Sequence, residues 1–174
     1  MTAIDNTPIN ENYLSPLNFA FTIKKTPNVN FFVQEAIIPA LKLPSTHMPN
    51  PFVNIPLPGE HLKFDPLRIT FKIDEDLKGY MEIFNWLTAL GKPDNYGQYF
   101  QIEKANQFAG DGIKSDLSLI LMSNIKNPHI EFVFTDAFPT SLSSLRLNVT
   151  KEGITYITVI ATFDYTLFTL NKII

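Results

Sequence analysis

Three histidines and one dense group of carboxylates are the side chains of this 174-residue chain whose types suit acid–base or metal chemistry. His47, His61 and His129 lie in different segments, and no HxH or HExxH spacing joins them. Protein zinc sites normally draw ligands from such short spacings. We therefore interpret the histidines as solvated or hydrogen-bonded loop residues, and we expect no metal site.

Asp74, Glu75 and Asp76 form the dense carboxylate group. Adjacent carboxylates could bind a divalent cation or act as an acid–base pair. The same residues also suit the start of a helix, where carboxylates satisfy free backbone N–H groups. The apolar pattern of a helix begins directly after them, so the sequence favours the capping role.

Other catalytic motifs are incomplete. "AGDGIKSD" at 109–116 suggests a phosphate loop but lacks GxxxxGK[ST], and "SLSSLRL" at 141–147 lacks the GxSxG of a serine hydrolase. The chain has no cysteine, which excludes disulfides and thiolate chemistry. We therefore expect a protein that is not an enzyme and that carries no cofactor.

Composition limits the possible partners. The chain has 14 basic and 17 acidic residues, and its largest basic cluster is the pair Lys24-Lys25, which argues against tight nucleic-acid binding. Charged residues make up only 18%, against about 25% in typical soluble proteins, so part of the surface is expected to be covered. No secretory signal or membrane anchor is evident, and we expect a soluble intracellular product.

Alternating apolar and polar residues predict a mainly β protein. The pattern also predicts that the last strand is unusually long, because one phase holds from Ile157 to Leu167 while Thr158, Thr162, Asp164 and Thr166 occupy the other. The remaining predicted strands contain Leu17, Phe19, Phe21 and Ile23; Leu67, Ile69, Phe71 and Ile73; Ile130, Phe132 and Phe134; and Leu145, Leu147 and Val149.

One amphipathic helix is predicted at about residues 76–90, before Gly91 and Pro93. Its expected buried stripe comprises Leu77, Met81, Phe84 and Leu87, widened by Tyr80, Trp86 and Leu90. Long loops are predicted at 1–16, 39–66 and 91–116, and loops of this length are usually functional. The expected organisation is an N-terminal arm at 1–16, one β domain at 17–170 containing the extended loop 39–66, and a C-terminal tail at 171–174.

The order of these segments resembles the tail tube proteins of contractile-tailed bacteriophages, a family related in fold to type VI secretion tube proteins. The early strand "LNFAFTI" is followed by "FFVQEA", a long loop and "LRITFKIDEDLKGYMEIFNWLTAL". The closing section contains an aromatic-Pro-Thr turn at Phe138-Pro139-Thr140, a hairpin and a long strand with Asp164-Tyr165 near its end.

The resemblance implies an antiparallel β-sandwich or half-open barrel with one flanking helix. It also implies a structural virion protein that self-assembles into stacked six-fold rings, through which the genome passes, with sheath, baseplate or neck proteins as neighbours. Such a protein would be made in the host cytoplasm and located in the virion tail. Whether the chain forms the main tube or a ring at one end of it stays open at this stage.

Two sets of candidate contact residues follow. Within the proline-rich loop 39–66, residues 49–66 are expected to be held extended and to pack on a neighbouring subunit through Phe52, Val53, Ile55 and Leu57. Thr158, Thr162, Asp164 and Thr166 are candidates for the lumen or for sheet joining, and a solvated sheet face explains them equally well. The alternative function is a ligand-binding β-sandwich for carbohydrates or receptors, with an aromatic platform of Tyr96, Tyr99 and Phe100.

Overall fold

The computed structural model describes residues 12–91, Gly97, 113–150 and 156–173. Within them the chain is mainly β, as predicted, with every strand pair antiparallel. The helices are α1 (Pro27–Phe32) and α2 (Lys78–Gly91), and the strands are β1 (Phe19–Ile23), β2 (Val33–Ile37), β3 (Leu41–Lys42), β4 (Ser45–Met48), β5 (Ile55–Pro58), β6 (Lys63–Phe64), β7 (Leu67–Lys72), β8 (Ser115–Met122), β9 (Pro128–Leu142), β10 (Thr158–Asp164) and β11 (Leu167–Lys172).

Two sheets that share β9 enclose the core. The first sheet has the order β1-β8-β9-β11, and the second has the order β9-β10-β7-β2. Their facing sides bury alternate residues, as the sequence pattern predicts. Residues with no exposed surface include Phe134 and Leu117 from the first sheet and Phe71, Ile69 and Phe163 from the second.

The shared strand β9 changes sheets at Asp136. This residue has φ 57°, a left-handed conformation that Asp tolerates better than most side chains. The first part of β9 pairs with β8 and β11, and the last residues of β9 pair with β10. The turn predicted at Phe138-Pro139-Thr140 is therefore wrong, because the bend occurs at Asp136 and Pro139 lies in an edge strand of the second sheet, where a missing N–H is tolerated.

The closing strand is divided. Val159, Ala161 and Phe163 are fully buried as predicted, but the ladder breaks at Tyr165-Thr166 between β10 and β11. Phe168 is then buried while Leu167 is exposed, so the buried phase reverses where the chain passes from the second sheet to the first. The prediction of a single closing strand in one phase is therefore wrong. Both β10 and β11 nevertheless pair with β9 in nearly continuous register.

Two of the predicted strands do not match the structure along their whole length. Leu17 precedes β1 and is exposed, whereas Phe21 and Ile23 are buried as expected. The strand predicted through Leu147 and Val149 is wrong, because β9 ends at Leu142 and both residues lie in exposed coil. The side chain of Asn148 accepts a hydrogen bond from the N–H of Thr150 (2.9 Å), a local bond that competes with strand formation.

Helix α2 begins and ends near the predicted positions, and its buried face overlaps the predicted stripe only in part, since Trp86 is buried and Leu87 and Leu90 pack against the core as predicted. Gly79, Ile83, Trp86 and Ala89 are buried, whereas the predicted stripe residues Met81 and Phe84 are half exposed. The helix is apolar on most of its circumference, so periodicity could not select the core face. The packing selects it, because Gly79 lies against Val29 of the unpredicted helix α1, where a Cβ on Gly79 would be at ordinary contact distance, 3.6 Å, from Cγ2 of Val29.

Candidate assembly surfaces

The segment 39–66, which we call the arm, is a β-hairpin and not an extended loop. Four residue pairs join β4 to β5, from Ser45 opposite Pro58 to Met48 opposite Ile55. Pro56 and Pro58 in β5 do not prevent this pairing, because both strands of a two-stranded ladder are edge strands, where proline can turn its missing N–H outward.

The predicted contact residues of the arm are exposed. Phe52 is 95% exposed and Val53 is 61% exposed, and Ile55 and Leu57 are each 41% exposed. None of the four belongs to the core or to the partly buried residues that pack against it. Exposed apolar patches of this kind are typical of interaction sites on folded domains.

The base of the arm is closed by a second short ladder and by polar contacts. The N–H of Gly59 donates to the carbonyl of Pro44 (2.7 Å), and the N–H of Asp65 donates to the carbonyl of Ala40 (3.1 Å). Lys42 Nζ contacts both carboxylate oxygens of Asp65, at 2.9 and 2.7 Å. These contacts hold the two chain segments of the arm together where they leave the sandwich.

The polar residues predicted for the lumen do not share one position. Thr158, Thr162 and Asp164 lie in β10 on the outward face of the second sheet, and Thr162 is partly buried. Thr166 lies in the break between β10 and β11, where its N–H donates to the carbonyl of Thr135 (3.0 Å). Three of the four residues therefore form one surface, and the fourth lies at the junction of the two sheets.

A shallow groove of about 450 Å³ extends from Thr162 across the outward face of the second sheet. Sequence reasoning missed most of its other residues, because they come from β2, β7 and β9, and the pairing of β7 and β9 with β10 and of β2 with β7 leaves no local signal. The groove carries one acidic and one basic residue and is otherwise polar or apolar; its lining includes Glu35, Ile37, Arg68, Thr70, Ser141 and Ile160.

The residues first considered for chemistry are not assembled into a catalytic site. His47 and His61 belong to the arm and His129 to β9, and in the described residues no three potential ligands come together to hold a metal. Asp74 performs the predicted capping role, with its carboxylate accepting from the N–H groups of Lys78 (3.1 Å) and Gly79 (3.3 Å). No helix in the described part of the chain has the length and apolar character needed to span a bilayer.

The aromatic platform proposed for the ligand-binding alternative falls outside the described residues. Tyr96, Tyr99 and Phe100 belong to that part of the chain. A different apolar groove, of about 320 Å³, lies at the end of the first sheet near Tyr13, Leu121 and Ile125.

Comparison with known proteins shows a family relationship. The sequence profile of the phage tail tube protein family matches residues 6–171. The tail tube terminator protein of Enterobacteria phage T4 is 25% identical over 168 residues, which cover 92% of this chain and 90% of that protein.

Solved structures share the fold. The tube-terminating cap of the anti-feeding prophage aligns with a TM-score of 0.64 at 15% identity, over 99% of this chain and 100% of that one. The sheath/tube terminator of an extracellular contractile injection system aligns with a TM-score of 0.60 at 15% identity, over 93% of this chain and 99% of that one. The chain belongs to the phage tail tube protein family and is a structural protein of the tail, not an enzyme.

Proposed function

We propose that the chain forms a six-membered ring that terminates a tail tube, and that it is not the repeating tube subunit. The relative from phage T4, which matches over nearly its whole length, is named as a tube terminator, and this supports the end position. The ring then closes around a lumen and contacts the tube on one side. Sheath, neck or baseplate proteins are its further neighbours, and the protein is made in the host cytoplasm before it joins the virion.

The arm is the observation that carries the proposal of self-assembly. The Phe52 side chain at its tip is 95% exposed, so it gains almost no burial free energy within its own subunit. Burying one large apolar side chain against a neighbour contributes about 1.5–3 kcal/mol, and a closed ring repeats that gain at each subunit. We assign Phe52, Val53, Ile55 and Leu57 to contacts between subunits.

The outward face of the second sheet suits a lumen. Thr158, Thr162 and Asp164 would line it together with the shallow groove, in which Glu35 offsets Arg68. A surface of mixed and low charge does not hold phosphate groups, so DNA passes with little resistance. Thr166, at the junction of the sheets, would lie closest to the joint between subunits.

Paired serine substitutions test the role of the arm. The double variant Phe52→Ser and Ile55→Ser should lose assembly while the monomer keeps its circular dichroism spectrum and unfolding midpoint. The matched control is Leu147→Ser with Val149→Ser, which removes two apolar residues that are 82% and 101% exposed in coil. Unfolding of the arm variant would show that the arm is part of the core. Equal loss of assembly in both variants would show that the arm has no specific role in assembly.

A further inference from the structure

Tyr165 connects the arm to the sandwich. The residue lies in the break between β10 and β11, and its phenol oxygen donates a hydrogen bond to the backbone carbonyl of Asp65 at 2.8 Å. Asp65 follows β6 directly, at the point where the arm returns to β7. One side-chain bond therefore spans two segments that are 100 residues apart in sequence.

Asp65 is the residue on which the contacts at the base of the arm converge. Its N–H donates across the base to Ala40, its carboxylate accepts from Lys42, and its carbonyl accepts from Tyr165. The first two contacts close the arm upon itself. The third is directed to the sandwich, so it can fix the direction of the arm where the other two cannot.

An aromatic cluster supports the same junction. The Tyr165 ring makes edge contacts with Phe134 at 5.1 Å, Phe168 at 6.0 Å and Phe64 at 6.1 Å between centroids. Phe64 ends β6 and packs against the core, and Pro39 at the opposite end of the arm is also buried. The arm thus meets the sandwich at Phe64 and Asp65, and Tyr165 contacts both.

We propose that Tyr165 is a positioning residue that holds the arm in one direction relative to the two sheets. Packing at the two ends of the arm does not fix its rotation about them, and the hydrogen bond from Tyr165 beside Phe64 restricts that rotation. An arm already held in its binding direction loses less conformational entropy when it docks. The positional claim stands on these contacts alone, and its consequence for assembly rests on the proposed function.

The direction of the arm can be measured in solution. The chain has no cysteine, so Thr22→Cys in β1 and Asn54→Cys in the arm accept spin labels without side reactions. In labelled protein diluted with unlabelled protein, pulsed electron paramagnetic resonance should give a narrow distance distribution. Tyr165→Phe, which keeps the ring and removes the donor, should broaden it and lower the unfolding midpoint by about 2–4 °C, the effect of one net hydrogen bond. An unchanged distribution would overturn the proposal.

Tyr156→Phe is the matched control, because Tyr156 is exposed and lies outside the arm base. It should leave the distance distribution narrow, and equal broadening in both variants would also overturn the proposal. Tyr165→Phe should weaken ring formation by about threefold to tenfold, the effect of one net hydrogen bond. A broadened distribution with unchanged ring formation would support the positioning role and would count against the arm as an assembly contact.

Discussion

At the scale of single residues, Asp74 has a well-defined structural role. Its carboxylate accepts hydrogen bonds from two backbone N–H groups at the start of α2. Asp74→Ala should lower the free energy of unfolding by about 1 kcal/mol, the usual effect of losing a helix cap. Urea unfolding would measure it, with the exposed neighbour variant Glu75→Ala as control. Equal losses in both variants would mean that local charge matters and that capping does not.

The pKa of Tyr165 gives a second prediction at this scale. Burial, followed by the negative charges of Asp65 and Asp164, raises the pKa of Tyr165 from 10.0 to about 12. The folded state therefore holds the phenol proton more tightly, so this stabilisation is complete below pH 10 and is lost as the pH rises toward 12. Over that range the unfolding midpoint of the native protein should fall more steeply than that of Tyr165→Phe. Parallel curves would contradict the assignment.

Residue roles that depend on neighbours in sequence were predictable, and those that depend on distant partners were not. Asp74 lies directly before the apolar pattern of α2, so its capping role could be predicted. The partner of Tyr165 is 100 residues away, and no periodicity indicates it. The groove beside Thr162 was missed for the same reason, because Glu35 and Arg68 reach it through strand pairing.

At the scale of elements, Gly59 controls the base of the arm. A Cβ at Gly59 would lie 2.3 Å from the carbonyl oxygen of Pro44, which is too close without a backbone shift. Gly59→Ala should therefore open the arm and cost about 1–3 kcal/mol locally. Hydrogen exchange should show faster exchange in β4 and β5, with β7 and β10 still protected.

Gly91→Ala provides the control for this substitution, because a Cβ at Gly91 meets no atom within 4 Å. It should leave exchange in the arm unchanged. If Gly59→Ala leaves β4 and β5 protected, the close approach to Pro44 does not hold the arm closed.

Elements with a strong period and a clear boundary could be predicted from the sequence. β1, β7 and α2 fall close to their predicted positions. The errors have physical causes, since the six-residue helix α1 is too short to show a period, and the bend in β9 depends on the left-handed conformation of Asp136 and not on the following proline. The hairpin in the arm was missed because prolines in isolated edge strands do not prevent pairing.

At the scale of the whole molecule, a β-sandwich carries an arm whose apolar tip lies outside its core. The buried residues of both sheets form one core, whereas Phe52, Val53, Ile55 and Leu57 remain exposed. The low charge of the sequence indicated a covered surface, and the structure locates an exposed apolar surface on the arm. Sequence could not specify the direction of the arm, because that direction depends on contacts between Tyr165, Phe64 and Asp65.

Negative-stain electron microscopy of the purified protein across a range of concentration and salt tests the central claim most directly. A terminating subunit should give separate six-fold rings that do not stack into tubes, because one ring face is adapted to a different protein. Tubes that lengthen with concentration would contradict the terminator assignment in favour of a repeating subunit. Monomers under every condition would contradict self-assembly itself.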